Sequence, residues 1–339
     1  MKKILLIATG GTIAATDSGE GLNPTISPEE ILKLIPKVKK FCEINALQVL
    51  NIDSSNIQPE EWLLITKTIK ENYDDYDGFV ITHGTDTMAY TSSALSYLIQ
   101  GSGKPIVITG SQKPIDDDTG DARKNLTDAF WFCSQPEIKG VYLVFNGKAI
   151  IGTRASKVKT KSYDAFESIN YPLVAQLDIN RQAFLQSRNK SESNTVQFFD
   201  QIDPGVFLLK LVPGMEPEIL NYVGERYDAI VVESYGMGGL PFANKRNFLE
   251  QVEKMASRGK ILVVATQVKS EGSDLSVYEV GMRAAQSVPL LQSMDMTVEA
   301  VVTKLMWILA QTKDFKEVEK LFYTTVHEDI SIFPSNWEV

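Results

Sequence analysis

Cysteine and histidine are scarce in this chain, with two of each among 339 residues. The two cysteines, Cys42 and Cys133, are too few for a zinc cluster, and a Ser-His-Asp triad would have to use His83 or His327. No G-x-S-x-G elbow is present either. So few cysteines suit a reducing compartment, and we expect buried thiols in a cytoplasmic protein. An enzyme built from this sequence would use hydroxyl groups, lysines and carboxylates, with no metal.

An excess of basic charge and long apolar runs are also missing. Lys and Arg total 34 against 43 Asp and Glu, a net charge of −9, and there is no basic stripe. We therefore expect no nucleic-acid binding. The apolar run near the N-terminus, Ile4 to Ala8, is shorter than a secretory core, and no run has transmembrane length, so we expect no membrane partner. The chain is long enough for two domains with sizeable cores.

Short apolar runs alternate with helical patterns in the first half of the chain. One helix opens at Ser27-Pro28 with the pattern of a capping box, and another opens at Pro59-Glu60-Glu61. Such alternation predicts a mostly parallel sheet with helices on both faces. The predicted strands are Lys3–Ala8, Leu47–Ile52, Gly78–Thr82, Pro105–Thr109 and Val141–Phe145.

The composition changes near residue 186, where a polar stretch without a core pattern indicates a linker. The alternation then resumes, with predicted strands Val206–Leu211, Ala229–Glu233 and Ile261–Ala265 and predicted helices Asn244–Ser257, Thr297–Gln311 and Phe315–Phe322. We predict a two-domain α/β protein. A larger, doubly wound N-terminal domain spans residues 1–185, a linker spans 186–204, and a smaller C-terminal α/β domain spans 205–339.

Two unusual turns follow predicted strands of the first domain: Thr9-Gly10-Gly11-Thr12 and His83-Gly84-Thr85-Asp86-Thr87. Ligands of open parallel sheets bind beyond the carboxyl ends of the strands, so we expect both turns to belong to one site. Simpler interpretations exist for each. The glycines can form a purely structural turn, although no phosphate-loop pattern is matched. Thr85 or Asp86 can act as the N-cap of the following helix, and we expect His83 to be a packed, hydrogen-bonded side chain.

Two further segments carry polar side chains that suit the same site. Asp53-Ser54-Ser55 follows the second predicted strand, but by itself it is an ordinary polar turn. In "GTRASKVKTKS", residues 152–162, any of three lysines can be merely solvated. It is the convergence at strand ends, rather than any one segment, that indicates a functional site.

The motifs "ATGGTIA", "ITHGTDTMAYTSSAL", "DSS", "ASK", "SYGMGG" and "DMTVEAVVTKL" all occur in this chain with suitable spacing. With them the chain closely resembles the intracellular L-asparaginases of bacteria and archaea over essentially its whole length. The resemblance implies a larger N-terminal and a smaller C-terminal α/β domain, with the active site near a subunit interface. It also implies hydrolysis of L-asparagine to aspartate and ammonia without a cofactor, by a homo-oligomer that is a dimer or a dimer of dimers.

The resemblance also implies roles for individual residues. Thr12 is the nucleophile, and Thr85, Asp86 and Lys157 are its catalytic partners. A threonine hydroxyl needs a base, and Thr85 can relay its proton to Lys157. Asp86 favours the charged form of a nearby lysine and would not help Lys157 to act as a base. Its expected role is therefore to bind the substrate α-ammonium. The α-carboxylate of the substrate is expected to bind at Ser54 and the neighbouring Asp53 and Ser55, through hydroxyls and backbone N–H groups.

One position departs from the family pattern. The family supplies a tyrosine from the segment after the nucleophile, whereas residues 15–24 contain none and Leu22 occupies its place. Gly19 and Gly21 still suit a mobile lid. Another group replaces the tyrosine, or Lys157 and Thr85 do more of the work, or activity is low.

Two other functions stay open on sequence grounds. The first is the ammonia-generating, asparaginase-like subunit of a tRNA-dependent amidotransferase. That family carries an extra N-terminal domain, whereas Thr12 lies close to the start here. The second is a weakly active paralogue that binds amino acids.

Overall fold

The computed structural model describes residues 1–17, 22–24, 26–177, 195–276 and 289–334, with the backbone alone at 16, 17 and 22–24. The chain divides into two compact units, Met1–Asp200 and Gln201–Val339. Each unit holds a parallel or mostly parallel sheet accompanied by helices, which confirms the predicted two-domain α/β class. No helix in these ranges is long and apolar enough to cross a membrane.

The first unit is built on a seven-stranded sheet with the order β12-β9-β8-β7-β5-β1-β4. The strands of this unit are β1 (Lys2–Gly10), β2 (Ala15–Asp17), β3 (Leu22–Pro24), β4 (Cys42–Ile52), β5 (Gly78–Thr82), β6 (Ile99–Gln100), β7 (Pro105–Thr109), β8 (Gly140–Phe145), β9 (Lys148–Ile151), β10 (Ala155–Lys157), β11 (Phe166–Ser168), β12 (Ala175–Gln176) and β13 (Gln197–Phe198). Its helices are α1 (Pro28–Leu34), α2 (Pro59–Glu71), α3 (Met88–Leu98) and α4 (Ala122–Ser134).

The chain reverses its direction across this sheet at β1. From β1 it crosses to β4 on one side, then returns past β1 to β5 and continues outward through β7 and β8. All of these strands are parallel, while at the far edge β9 pairs antiparallel with β8 and β12 pairs antiparallel with β9. The reversal makes the sheet doubly wound, as predicted, and places a crevice beyond the carboxyl ends of β1 and β5.

Helices cover both faces of this sheet. On one face α1 and α4 pack on β1, where Ile31 and Leu126 share a core with Ile4 and Leu6. On the other face α2 lies against α3, and Trp62 of α2 donates its indole N–H to the buried Thr91 of α3. Two packed faces leave only strand ends for a site.

The predicted capping box of α1 is present. Ser27 accepts from the Glu30 N–H through its hydroxyl, and the Glu30 carboxylate accepts from the Ser27 N–H. The two residues therefore satisfy each other's backbone donors at the start of the helix, as the sequence pattern indicates.

The edge strand β4 begins five residues earlier than the apolar pattern predicts. Its outward positions, Glu43 and Asn45, are polar and exposed, while Ile44 and Ala46 pack on the core. An edge strand buries only part of its side chains, so its first half alternates instead of forming an apolar run. The strand ends at Ile52, which brings the Asp53-Ser54-Ser55 turn to the same sheet edge as the two threonine turns.

Residues 195–200 of the predicted linker belong to the first unit, and residues 201–204 belong to the second. Residues 186–194 lie outside the described ranges, but β13 pairs with β6. Phe198 packs edge-on against Tyr73, with ring centroids 5.3 Å apart. A two-residue strand in a polar context carries no periodic signal, so only the tertiary contact reveals it.

The second unit contains a four-stranded parallel sheet with the order β14-β15-β16-β17. Within residues 205–276 and 289–334, its strands are β14 (Val206–Lys210), β15 (Ala229–Ser234), β16 (Ile261–Thr266) and β17 (Leu291–Gln292), and its helices are α5 (Ile219–Gly224), α6 (Phe248–Ser257), α7 (Val298–Leu309) and α8 (Phe315–Tyr323). The helix predicted from Asn244 begins four residues later, at Phe248. Asn244 has a positive φ of 58°, which a helix does not accommodate, and Asn247 is the N-cap that accepts from the Glu250 N–H.

A buried ion pair holds the chain after α8 against α7. The Lys304 and Asp329 side chains are fully buried, with 2.6 Å between Nζ and Oδ2. Lys304 also donates to the Thr324 carbonyl at 2.8 Å, and Asp329 accepts from the Val326 N–H at 2.9 Å. The ammonium and the carboxylate therefore fix the path of residues 324–329 from both sides.

Candidate active site

Three turns, at the carboxyl ends of β1, β4 and β5, touch one another because two of them carry glycine. Gly11 has a φ of +78°, and a Cβ on it would lie 2.4 Å from the Gly84 nitrogen. A Cβ on Gly84 would lie 2.6 Å from the Ser54 hydroxyl oxygen. Any larger residue at either glycine would force the turns apart. Gly11 and Gly84 therefore allow the turns of Thr12, Thr85 and Ser54 to come together.

The Thr12 turn is held at the crevice between β1 and β5. Thr9, at the end of β1, donates its hydroxyl to the Thr82 carbonyl at the end of β5, with 2.7 Å between the oxygens. Gly11 donates its N–H to the Ile52 carbonyl of β4 at 3.1 Å and caps a single 3₁₀ turn, Thr12–Ala14. Thr12 is half-buried at the start of that turn. Because Gly11 lies against Gly84, the residues that follow them, Thr12 and Thr85, stand on adjoining turns.

Lys157 reaches the Thr85-Asp86 turn from the β10–β11 hairpin. Its Nζ donates to the Thr85 hydroxyl at 2.8 Å and to the Asp86 carboxylate at 2.6 Å. The Lys157 side chain is only 16% exposed, whereas that of Asp86 is 65% exposed. The lysine is therefore directed into the site, while the carboxylate keeps an oxygen open to an incoming ligand.

The expectation that Thr85 or Asp86 caps the helix is wrong. Helix α3 begins at Met88 with Thr87 in the N-cap position, and no side chain makes a cap bond there. The Thr85 and Asp86 side chains bind Lys157 instead. Thr87 turns its hydroxyl to the Ser54 carbonyl at 2.7 Å, so it links the two turns.

Of the three residues expected to hold a carboxylate, Ser54 is the one that contacts the threonine turns. It is buried, and its hydroxyl oxygen accepts from the Asp86 N–H at 3.3 Å. Asp53 caps its own 3₁₀ turn, because its carboxylate accepts both the N–H and the hydroxyl of Ser55. These hydrogen bonds hold the pKa of Asp53 below its usual value. The Asp53 and Ser55 side chains thus shape the turn that presents Ser54.

His83 is a buried structural residue, as predicted. Its Nδ1 lies 2.7 Å from the Gly84 carbonyl and its Nε2 lies 2.9 Å from the Thr91 hydroxyl. The carbonyl can only accept, so Nδ1 carries the proton and Nε2 accepts from Thr91, which in turn accepts from the Trp62 indole. Burial lowers the pKa of His83 to about 4. The neutral ring anchors the Gly84 carbonyl and takes no part in proton transfer at neutral pH.

This burial predicts a loss of stability in mild acid. The pKa of His83 is lowered from 6.5 to about 4 in the folded state, so the unfolded chain binds the proton more readily. The stability from the neutral ring is therefore present above pH 6.5 and is lost as the pH falls toward 4. Between pH about 7.5 and about 4.5 we expect His83 to account for about 2.5 kcal/mol. Urea unfolding of wild type and His83→Met at both pH values measures it, and an equal pH dependence in the two proteins would contradict the prediction.

A fourth segment, which follows β7 at the same end of the sheet, was not singled out from the sequence. Gln112 accepts from the Thr85 hydroxyl at 3.4 Å. The buried Asp121 carboxylate holds this segment by accepting the Gln112 and Lys113 N–H groups. Ile115 donates its N–H to the Ile13 carbonyl, beside Thr12. The signal was available, since residues 110–112 lie at the carboxyl end of a parallel strand.

The two glycines of the expected lid, Gly19 and Gly21, lie outside the described residues. Leu22 contributes its backbone to β3, which pairs with β2 so that Leu22 stands opposite Asp17. Among the side chains that the structure describes, no group of three or more His, Cys, Asp or Glu is arranged to hold a metal ion.

Two protein-family models match this chain, one in each half. Residues 3–190 match the family model described as "Asparaginase, N-terminal", and residues 205–322 match the "Glutaminase/Asparaginase C-terminal domain". The chain belongs to the asparaginase family. The L-asparaginase of Thermococcus kodakarensis is 40% identical over 330 residues, covering 97% of this chain and 99% of that protein. The solved structure of the thermostable L-asparaginase from that organism has a TM-score of 0.91 and covers 98% of this chain and 100% of its own.

Two other relatives bear on the alternatives. L-asparaginase 1 of Escherichia coli K12 is 33% identical over 326 residues, covering 94% of this chain and 95% of that protein. A subunit of the glutamyl-tRNA(Gln) amidotransferase of Methanopyrus kandleri is 32% identical over 349 residues, covering 97% of this chain and 75% of that protein. The chain therefore matches the L-asparaginases of Thermococcus kodakarensis and Escherichia coli along almost their whole length. It matches the amidotransferase subunit along three quarters of that subunit's length.

Proposed function

We propose that this protein hydrolyses the side-chain amide of L-asparagine to give L-aspartate and ammonia. The observation that carries the proposal is the cluster of Thr85, Asp86 and Lys157 beside the Thr12 turn, at the switch point of a sheet in an asparaginase-family chain. Hydroxyl, ammonium and carboxylate groups at such a crevice suit an amide substrate that is also an amino acid. All of these groups lie in the first unit, which is the catalytic domain of the proposal.

Thr12 is the nucleophile in this proposal, and Thr85 with Lys157 is its proton acceptor. A threonine hydroxyl is too weak a nucleophile at neutral pH without a base. When Lys157 is neutral, the Thr12 proton passes to the Thr85 oxygen while the Thr85 proton passes to Lys157. The 2.8 Å contact between Lys157 and Thr85 is short enough for the second transfer.

Asp86 and Ser54 bind the two charged groups of the amino acid. The substrate α-ammonium pairs with the exposed Asp86 carboxylate, which Lys157 occupies in the free enzyme. An ammonium arriving there competes with Lys157 for Asp86 and removes part of the attraction that keeps the lysine charged. The Ser54 hydroxyl, on the turn that Asp53 and Ser55 shape, takes the α-carboxylate. Substrate binding thus helps to convert Lys157 into a base.

The reaction proceeds through an acyl-enzyme. The Thr12 oxygen attacks the amide carbon, and backbone N–H groups of the adjoining turns stabilise the oxyanion, each contributing about 3–4 kcal/mol. The C–N bond then breaks as the nitrogen takes back, through the Thr85–Lys157 relay, the proton that Thr12 gave up, and leaves as ammonia. Water attacks the resulting ester and releases aspartate, with the same relay accepting its proton. Without the usual lid tyrosine, the Thr85–Lys157 pair is the base of this proposal.

The deciding experiment incubates the pure protein alone with L-asparagine and measures ammonia. Release of ammonia with equal formation of aspartate supports the proposal. Ammonia that appears only when an amidotransferase partner and its tRNA are added would favour the amidotransferase function. Binding of asparagine without ammonia release would favour the amino-acid-binding paralogue. Glutamine in place of asparagine tests the substrate preference.

The relay predicts non-additive losses. Thr85→Val and Lys157→Met interrupt the same proton path, so each should lower kcat by roughly 10²–10⁴-fold, and the double variant by little more than either. Lys159→Met is the matched control. Lys159 pairs with Asp164 at 2.9 Å near the surface, and its loss should leave kcat unchanged. Steady-state ammonia release measures all four proteins, and multiplicative losses in the double variant would place the two residues in separate roles.

We also propose a homo-oligomer built on a two-fold dimer, acting in the cytoplasm. Most soluble oligomers contain such a dimer, and Cys42 and Cys133 are buried free thiols of the kind a reducing compartment preserves. Sedimentation velocity at micromolar concentration should give a dimer or tetramer. A fully active monomer would refute the assembly.

A further inference from the structure

The side chain of Gln112 lies between Thr85 and the loop that follows Lys157. Its side-chain nitrogen donates to the Ser162 carbonyl at 3.1 Å and to the Thr160 carbonyl at 3.4 Å. Its main chain is fixed as well, because its N–H donates to the Asp121 carboxylate at 3.0 Å. Gln112 thus has one orientation imposed on it from outside the reacting groups.

That orientation decides which atom of the amide faces Thr85. Backbone carbonyls only accept hydrogen bonds, so the NH₂ group must point to Ser162 and Thr160. The Gln112 Oε1 atom is then the one turned to the Thr85 hydroxyl, at 3.4 Å. An amide oxygen is only an acceptor, so Thr85 is the donor in this contact.

In the free enzyme, the contact with Lys157 also requires Thr85 to donate its hydroxyl proton to another group. With Asp86 at 2.6 Å it is an ammonium, which has three donors and no acceptor. Thr85 therefore accepts from Lys157 through its oxygen and has to send its own proton elsewhere. The contacts on both sides of Thr85 agree on one direction for that proton, toward Gln112.

We propose that Gln112 is a positioning residue that holds the hydroxyl proton of Thr85 while Lys157 is charged and releases it to Lys157 when the lysine becomes neutral. The inference rests on the proposed function, in which Thr85 relays the Thr12 proton. Loss of the Lys157 proton creates a lone pair, and the Thr85 O–H turns from Gln112 to Lys157. Gln112 stabilises only the first arrangement, so it helps to set the pH at which the relay becomes competent.

The test compares the pH dependence of ammonia release by wild type, Gln112→Met and Gln135→Met. Methionine keeps the length of glutamine without its donors and acceptor. In Gln112→Met we expect kcat on the high-pH plateau and KM each to stay within about twofold of wild type, because Gln112 stabilises the arrangement with charged Lys157 and not the reacting one. The acid-side midpoint of kcat/KM, which reports ionisation in the free enzyme, should move to lower pH by about half a unit, since the charged-lysine arrangement loses its acceptor.

Gln135→Met is the matched control, because Gln135 also donates to a backbone carbonyl, that of Trp131, but lies at the end of α4. Its profile should match wild type. An unmoved midpoint of kcat/KM in Gln112→Met, with or without a lower kcat, would reduce Gln112 to a structural support of the loop and overturn the proposal. Gln112→Glu gives the opposite sign, since a carboxylate stabilises the ammonium and should move the midpoint to higher pH.

Neutron diffraction of the deuterated wild-type protein separates this inference from the proposed function. A wild type that releases no ammonia from asparagine would remove the function, and the deuterium positions would still decide the geometry. Deuterium on the Thr85 oxygen pointing to Gln112, with three deuterons on Lys157, supports the inference. Deuterium pointing to any other atom would overturn it.

Discussion

Replacing Thr12 with alanine should leave a folded protein in which kcat for ammonia release from L-asparagine is lower by more than about 10³-fold. The change removes the oxygen that forms the acyl-enzyme, while His83, Lys157 and Thr85 keep their contacts. The site then binds substrate but cannot open the amide bond. Little stability should be lost, because Thr12 is half-buried on a turn whose geometry Gly11 and the β1 ladder determine.

Two further variants serve as controls for Thr12→Ala. Thr12→Ser keeps a hydroxyl and should retain measurable turnover. Thr127→Ala removes a half-buried threonine hydroxyl of α4, whose partner is the Arg123 carbonyl, and should behave as wild type. Activity and urea unfolding are measured together on all three variants. If Thr12→Ala kept its turnover while Thr85→Val lost it, Thr85 would be the nucleophile and the relay would need another residue.

Replacing Lys304 with methionine should cost the second unit about 3–5 kcal/mol of unfolding free energy. The Asp329 carboxylate is fully buried and would lose its ammonium partner at 2.6 Å. The Thr324 carbonyl would lose its donor as well. For a unit of this size the loss corresponds to a fall of roughly 10 °C in the unfolding midpoint, measured by scanning calorimetry.

A double variant separates the ion pair from general packing. Lys304→Met with Asp329→Asn removes both charges, so it should be more stable than Lys304→Met alone. Lys313→Met is the exposed control. Lys313 pairs with Asp228 and Asp203 at the surface, and its loss should cost less than about 1 kcal/mol. A Lys304→Met protein as stable as the Lys313→Met protein would show that the buried pair contributes little.

The sequence alone determined the fold class of this protein. Alternating apolar runs and helical patterns imposed the α/β class, because buried parallel strands need apolar residues and their crossovers need amphipathic helices. It also indicated that the turns of Thr12 and Thr85 belong together, since both follow such strands. A histidine between a strand and a glycine turn was expected to be packed, and His83 is. Each of these follows from neighbouring residues in the chain.

Only the tertiary structure decided which side chains meet. Three lysines near residue 157 have the same chemistry, yet Lys157 reaches Thr85, 72 residues away, while Lys159 turns to Asp164. The sequence favoured Thr85 or Asp86 as a helix cap, but the approach of Lys157 engages both. Gln112 was not singled out from the sequence at all. Side-chain direction at strand ends is set by contacts with segments distant in sequence, and these contacts decide which neighbouring polar groups face the crevice and which face solvent.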